Sequence, residues 1–174
     1  MNELNNFEID GIVEYAGKGK KYKNYGGCIA SDDVHKLCPS RPYFYIVNLG
    51  KRCSGGTHWT LLFNCSNDCV IYFDSFGVNP PNHVNKFMIA TKKKRLINNQ
   101  TFQSYSSSRC GWFCIYFAMK LGLNNHEIKF YKICNYLKSI TNAERIIDGY
   151  ERDLYNRVFH QNLKNGAFVY KNFF

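Results

Sequence analysis

The sequence predicts an α+β fold: a small mixed sheet packed on a buried central helix, as one domain over residues 1–174. Three observations predict it. Short aromatic and β-branched runs at Pro42–Val47, His58–Phe63 and Cys69–Phe73 have the length and composition of strands. Gly111–Leu121 is apolar on nearly every side, as a helix enclosed by other elements must be, and its length favours helix over strand. Beyond His126, apolar residues recur at Ile128, Tyr131, Ile133 and Leu137, which suits a further packed helix.

The remaining elements follow in order. Residues 1–40 alternate polar and turn-rich pieces, with a basic, glycine-containing loop at Lys18–Lys23. Three glycines between Gly50 and Gly56 read as a turn. Asn64–Asp68 is turn chemistry between the second and third strand runs, so those two strands are expected to form a hairpin. Asn79-Pro80-Pro81-Asn82 ends the sheet pattern, and Lys92–Arg95 leads into Leu96-Ile97. Thr101–Gln103 is read as one more short strand. Glu151–Leu163 is a helix that Asn165-Gly166 terminates, before Ala167–Tyr170.

Bulk composition narrows the class. With 174 residues, 45% hydrophobic and 17% aromatic, the chain can bury a core and is not of disordered composition. A net charge of +10 favours an acidic partner, either nucleic acid or an acidic protein substrate, and also serves solubility. No apolar run reaches membrane-spanning length, so no membrane partner is expected. The first ten residues lack a basic start and an apolar stretch, so secretion is not expected, and the eight cysteines are expected to be mostly reduced.

Four residue types then supply a chemistry. Cys110 stands at the start of the apolar helix, where the helix N-terminus favours a thiolate. Gly111 after it would let backbone approach a substrate carbonyl. His58 opens a strand and can take a thiol's proton. Asp74 ends the next strand, so the hairpin makes it a neighbour of His58, able to orient an imidazole. Gln103 has an amide donor that, with the Cys110 N–H, could stabilise an oxyanion. Each also has an ordinary structural reading: a core thiol, a sheet-edge histidine, a turn aspartate, a loop glutamine. Of the other histidines, His126 reads as a helix-start residue and His35 and His160 as solvent-facing; His83 lacks comparable surroundings.

Gly55-Gly56-Thr57-His58-Trp59, then Tyr72-Phe73-Asp74-Ser75-Phe76-Gly77, then Gln103 followed by Cys110-Gly111-Trp112-Phe113-Cys114, resembles the adenovirus-type maturation protease family, adenain. The wider group holds SUMO-deconjugating proteases and proteases of virophage and polinton-like elements. The likeness covers roughly residues 43–121 in order and is specific in its motifs. It implies His58 as base, Asp74 as orienting acid, Gln103 as oxyanion donor, Cys110 as nucleophile, and Trp59 packed beside the histidine. It implies cleavage of capsid and core precursors after glycine, at Gly-Gly or Gly-x-Gly sites, in the virion or in the host-cell cytoplasm or viral factory. Adenain has glutamate where this chain has Asp74; the deconjugating branch has aspartate. Adenain also pairs a cysteine before its glutamine with an activating peptide, and Lys92–Thr101 has no cysteine here.

Other signals are weaker. Cys65/Cys69 and Cys110/Cys114 are spaced too loosely for a zinc reading, and no metal is expected. Lys18, Lys20, Lys21 and Lys23, and separately Lys92, Lys93, Lys94 and Arg95, could bind DNA phosphates non-specifically or form solvated loops. The resemblance adds DNA as an activator, since adenain uses it so; the chemistry itself requires no cofactor. A monomer is expected. Two rivals remain at this point: a deconjugating protease acting on ubiquitin-like tails, and a non-enzymatic basic DNA-binding module.

Overall fold

Both faces of the sheet are covered, which explains why its central strands are buried along almost their whole length. A computed structural model describes residues 3–16, 24–66, 69–122 and 124–165. Along the chain come α1 (Asn6–Ala16), β1 (Tyr25–Ala30), a 3-10 turn (Ser31–Lys36), β2 (Phe44–Asn48), β3 (Trp59–Asn64) and β4 (Cys69–Phe73). Then follow α2 (Asn82–Ala90), β5 (Lys94–Ile97), α3 (Cys110–Leu121), α4 (His126–Lys138) and α5 (Glu144–Asn165). The strands lie in the order β1-β2-β3-β4-β5. β2, β3 and β4 form an antiparallel meander, flanked by β1 parallel to β2 and β5 parallel to β4. The sheet is therefore mixed, as expected.

Strand alternation divides the core in two. Phe44, Ile46, Leu61, Phe63, Ile71 and Phe73 join the core built around α3. Phe73 stacks on Phe117 of α3 with ring centroids 4.0 Å apart. Tyr45, Val47, Leu62, Val70 and Tyr72 face the other way, onto Val84, Phe87 and Met88 of α2. α3 is enclosed by β3, α1, α4 and α5, so its apolar residues have no solvent side to avoid. Leu61 pairs with Phe73 and Asn64 with Val70, so β3 and β4 are the expected hairpin. That hairpin carries the residues just before β3 and just after β4 to one end of the sheet, beside the start of α3.

Several expectations need correction. The N-terminal part, read as turn-rich, holds α1 and β1. Gly26 and Gly27 hid β1, because glycine weakens strand propensity. Gly27, at φ 96°, lies where the β1–β2 register shifts, as a bulge needs. Pro80-Pro81 ends the sheet pattern and also begins α2, whose first turn suits a preceding proline. Thr101–Gln103 is not a strand: the Phe102 and Gln103 N–H groups both donate to the Ser75 carbonyl, at 2.8 and 3.1 Å, instead of joining a ladder. The fifth strand is Lys94–Ile97. α5 begins at Glu144, earlier than the predicted Glu151. Gly111 also serves packing: a Cβ there would lie 3.2 Å from Ile9 and 3.4 Å from Leu4. The loop at Lys18–Lys23 (with Lys18, Lys20, Lys21 and Lys23), the hairpin tip at 67–68, Gly166 and Ala167–Tyr170 lie outside the described residues.

Candidate active site

The hairpin brings His58 and Asp74 together. Leu61 faces Phe73, so Asp74 comes level with Thr60 and reaches His58 diagonally across the hairpin end. His58 Nε2–H donates to Asp74 Oδ1 at 3.0 Å, with the imidazole 14% and the carboxylate 1% exposed. The same Oδ1 accepts the Phe76 N–H at 2.7 Å, and the Tyr72 hydroxyl lies 3.5 Å from Oδ2. Asn98 clamps the Asp74 backbone from both sides: its Oδ1 accepts the Asp74 N–H at 2.8 Å, and its Nδ2 donates to the Asp74 carbonyl at 2.7 Å. The aspartate is thereby fixed by groups from three segments.

Gln103 is held just as firmly. The Ser75 hydroxyl donates to Gln103 Oε1 at 2.7 Å, which turns the NH2 group away from Ser75. One of its two N–H bonds goes to the Ser107 carbonyl at 2.7 Å, leaving the second for a substrate oxygen. The Asp74–Gly77 turn and the 98–103 segment close on each other through Ser75, Phe76 and Thr101. Gly77 makes this possible: it has φ 72°, and a Cβ there would lie 2.7 Å from the Gln100 backbone.

Cys110 is the first residue of α3 and is 4% exposed. The helix's amide bonding begins with Phe113 N to the Arg109 carbonyl, so earlier N–H groups, including that of Cys110, have no helical partner and can meet an anion. The Cys110 thiol lies near enough to the imidazole to act on its charge, while Asp74 holds Nε2. Burial opposes the imidazolium, but the hydrogen bonds and charges of Asp74 and Cys110 outweigh it and raise the His58 pKa from 6.5 to about 9. Cys114, one turn along, is fully buried, and its S–H donates to the Trp59 carbonyl at 3.4 Å. Burial raises its pKa well above the ordinary thiol value. It packs in the core, as its position suggested.

α5 braces the loop that carries both groups. Glu144 Oε1 accepts the Ser104 N–H at 3.0 Å. Arg109, just before the thiol, pairs with Asp148 and, at 3.2 Å, with Glu151. Glu144, Asp148 and Glu151 share one helix face.

The structure thus brings together all four residues singled out in the sequence: His58, Asp74, Gln103 and Cys110. Ser75, Asn98, Phe76, Arg109 and the α5 carboxylates were missed. Ser75 and Phe76 sit inside the Tyr72–Gly77 motif, so proximity was the available signal; Asn98 had none. The ring against His58 is Phe76, with centroids 4.8 Å apart. Trp59 is buried in the α3 core, and its Nε1–H donates to the Leu4 carbonyl at 2.9 Å. His126 opens α4 and lies against Phe63, and His35 is exposed; the His160 side chain lies outside the described residues.

The second basic run is not a free loop throughout. Lys93 Nζ donates to Asn64 Oδ1 at 2.8 Å and to the Cys65 carbonyl, Lys94 pairs with Glu127, and Arg95 donates to Asn85 Oδ1 at 2.9 Å. Lys92 is exposed. Cys65 and Cys69 face each other at the hairpin end, sulfurs 3.0 Å apart. Among the described residues no three His, Cys, Asp or Glu side chains are grouped to hold a metal ion, and no helix is long and apolar enough to cross a membrane.

The family model of the adenovirus endoprotease (Peptidase_C5) matches residues 35–165, a stretch that includes all four site residues. The chain belongs to this family. That family is named for a viral endoprotease, which supports a protease reading over that of a non-enzymatic DNA-binding module. The crystal structure of the ASFV pS273R protease aligns with a TM-score of 0.52 and 18% identity, over 68% of this chain and 57% of that one. A selenomethionine structure of the same ASFV protease gives a TM-score of 0.49 and 17% identity over the same shares. The chain therefore spans little more than half the length of that protease, and the likeness is one of fold. No curated protein matches it in sequence.

Proposed function

We propose that this protein is a cysteine endopeptidase that cuts viral capsid and core precursors after glycine, with Cys110 as nucleophile, His58 as base and acid, Asp74 as the orienting carboxylate and Gln103 as an oxyanion donor. The observation that carries the reading is the His58 ring, bonded to Asp74 and within electrostatic reach of Cys110, beside an amide held in one orientation by Ser75 and the Ser107 carbonyl.

The chemistry follows from those contacts. Cys110 sulfur attacks the scissile carbonyl carbon while its proton resides on His58. The carbonyl oxygen gains negative charge and receives the free Gln103 Nε2–H and the Cys110 N–H. The C–N bond then breaks as the imidazolium gives its proton to the leaving nitrogen. Water, deprotonated by His58, releases the acyl group and restores the thiol. Asp74 keeps the imidazole in the tautomer that serves each step.

Glycine before the cut suits a thiol that is only 4% exposed, since a residue without a side chain can approach most closely. Maturation inside a virion or viral factory accords with family membership, and the net charge of +10 supports DNA as an activating partner. Release of ubiquitin-like tails is the second reading, favoured by aspartate at position 74.

Cys110→Ala should abolish cleavage of a precursor protein and leave the circular dichroism spectrum unchanged. An iodoacetamide-type probe should label Cys110 ahead of the other thiols. Cleavage by the Ala variant would refute the assignment. A ubiquitin-like fusion assayed beside a capsid precursor separates the two substrate readings.

A further inference from the structure

Three aromatic rings run in a row from the candidate base to solvent. The Phe76 ring lies 4.8 Å from His58, and Tyr105 stacks on Phe76 at 5.4 Å with only 11° between the planes. Tyr105 is nevertheless 86% exposed, and Val78, two residues beyond Phe76, is 56% exposed. A tyrosine so open to water gains little from burial, yet it is held parallel to a ring of the site. Both supports are anchored in the catalytic frame. Phe76 donates its N–H to Asp74 and accepts the Thr101 hydroxyl at 2.9 Å. Tyr105 sits in the loop between Gln103 and Cys110, whose ends are bound to α5 through Ser104 and Arg109.

The reaction gives this row a direction. The substrate oxygen must point to Gln103 and the Cys110 N–H, whereas the leaving nitrogen must lie beside His58 to be protonated. The chain after the cut therefore departs along the His58 side of the cleft. The rings stacked outward from His58 are Phe76 and then the exposed Tyr105.

We propose that Phe76 and Tyr105 form the wall of the leaving-group subsite, and that Tyr105 selects an apolar or aromatic residue immediately after the cut. This rests on the protease reading above. Tyr105 acts here as a specificity-determining residue, while the proton transfers belong to His58.

The test uses the full chain and two substrates with one acyl half ending in Gly-Gly. One is an internally quenched peptide with Phe after the cut; the other is the ethyl thioester, whose small leaving group cannot reach Tyr105. Tyr105→Ala should lower the peptide-to-thioester ratio of kcat/KM by about five- to tenfold, the worth of an aromatic contact, and Tyr105→Phe should restore it. A ratio that stays put while the thioester is still cleaved overturns the proposal and leaves the protease reading intact. No cleavage of either substrate by the unaltered chain would remove both. A measurement without mutation guards against a variant that fails to fold: the acyl-enzyme should partition to added phenylalaninamide several-fold faster than to glycinamide. Equal partitioning counts against the subsite.

Discussion

Ser75 and the Ser107 carbonyl together decide where Gln103 points. The hydroxyl donates to Oε1 and the carbonyl accepts from Nε2, so a flipped amide would set its oxygen against the Ser107 carbonyl. Ser75→Ala should lower kcat by roughly tenfold with little change in KM, because it loosens an interaction that matters most in the transition state. Gln103→Ala removes the donor itself and should cost about 10²–10³ in kcat. If Ser75 acts through Gln103, the Ser75→Ala change should add little in the Gln103→Ala background, and full additivity in that double-mutant cycle would refute the link. The sequence displayed Ser75 within a motif, but serine alone carries no signal of which amide it will meet 28 residues away.

At the scale of elements, α5 works as a brace for the loop between Gln103 and Cys110. Arg109 is 18% exposed and faces Asp148 and Glu151, so its removal leaves two carboxylates without their cation. Arg109→Ala should destabilise the fold by about 1–2 kcal/mol in urea unfolding, and should reduce kcat more than it raises KM. Unchanged kinetics would mean that the loop is held without α5. Two local signals obscured this helix's first turns. Gly149 lies in its interior, where glycine normally argues against helix. Its start is marked only by Asn142, whose Oδ1 accepts the Glu144 N–H at 3.0 Å.

At the scale of the whole molecule, the site is linked to folding through protons. His58 has a folded pKa of about 9 against 6.5, so the folded state holds its proton more tightly than the unfolded one. This contribution is fully present below pH 6.5 and is lost as pH rises through about 9. The unfolding free energy should therefore fall across that window, more steeply in the wild type than in His58→Gln. Equal slopes in chemical denaturation would show that Asp74 and Cys110 do not hold the imidazolium. The variant matters as a reference, because burial also raises Cys114, whose effect on stability has the same sign.

By itself the sequence determined the β3–β4 hairpin and the enclosed helix α3, and it singled out His58, Asp74, Gln103 and Cys110 as candidates. Those features are written in local terms: apolar periodicity, turn chemistry, and reactive side chains in a fixed order. The tertiary structure alone decided the frame around them. Asn98 clamping Asp74, Gly77 meeting the Gln100 backbone, and the 98–103 segment bonding to Ser75 instead of forming a strand all join residues more than twenty positions apart. Polar residues in loops satisfy hydrogen bonds wherever the packed elements bring partners, so their roles cannot be read from neighbours along the chain. α1 and β1 were hidden for a related reason. Leu4 and Ile9 pack on Gly111, and only the folded chain shows that the glycine beside the thiol makes room for them.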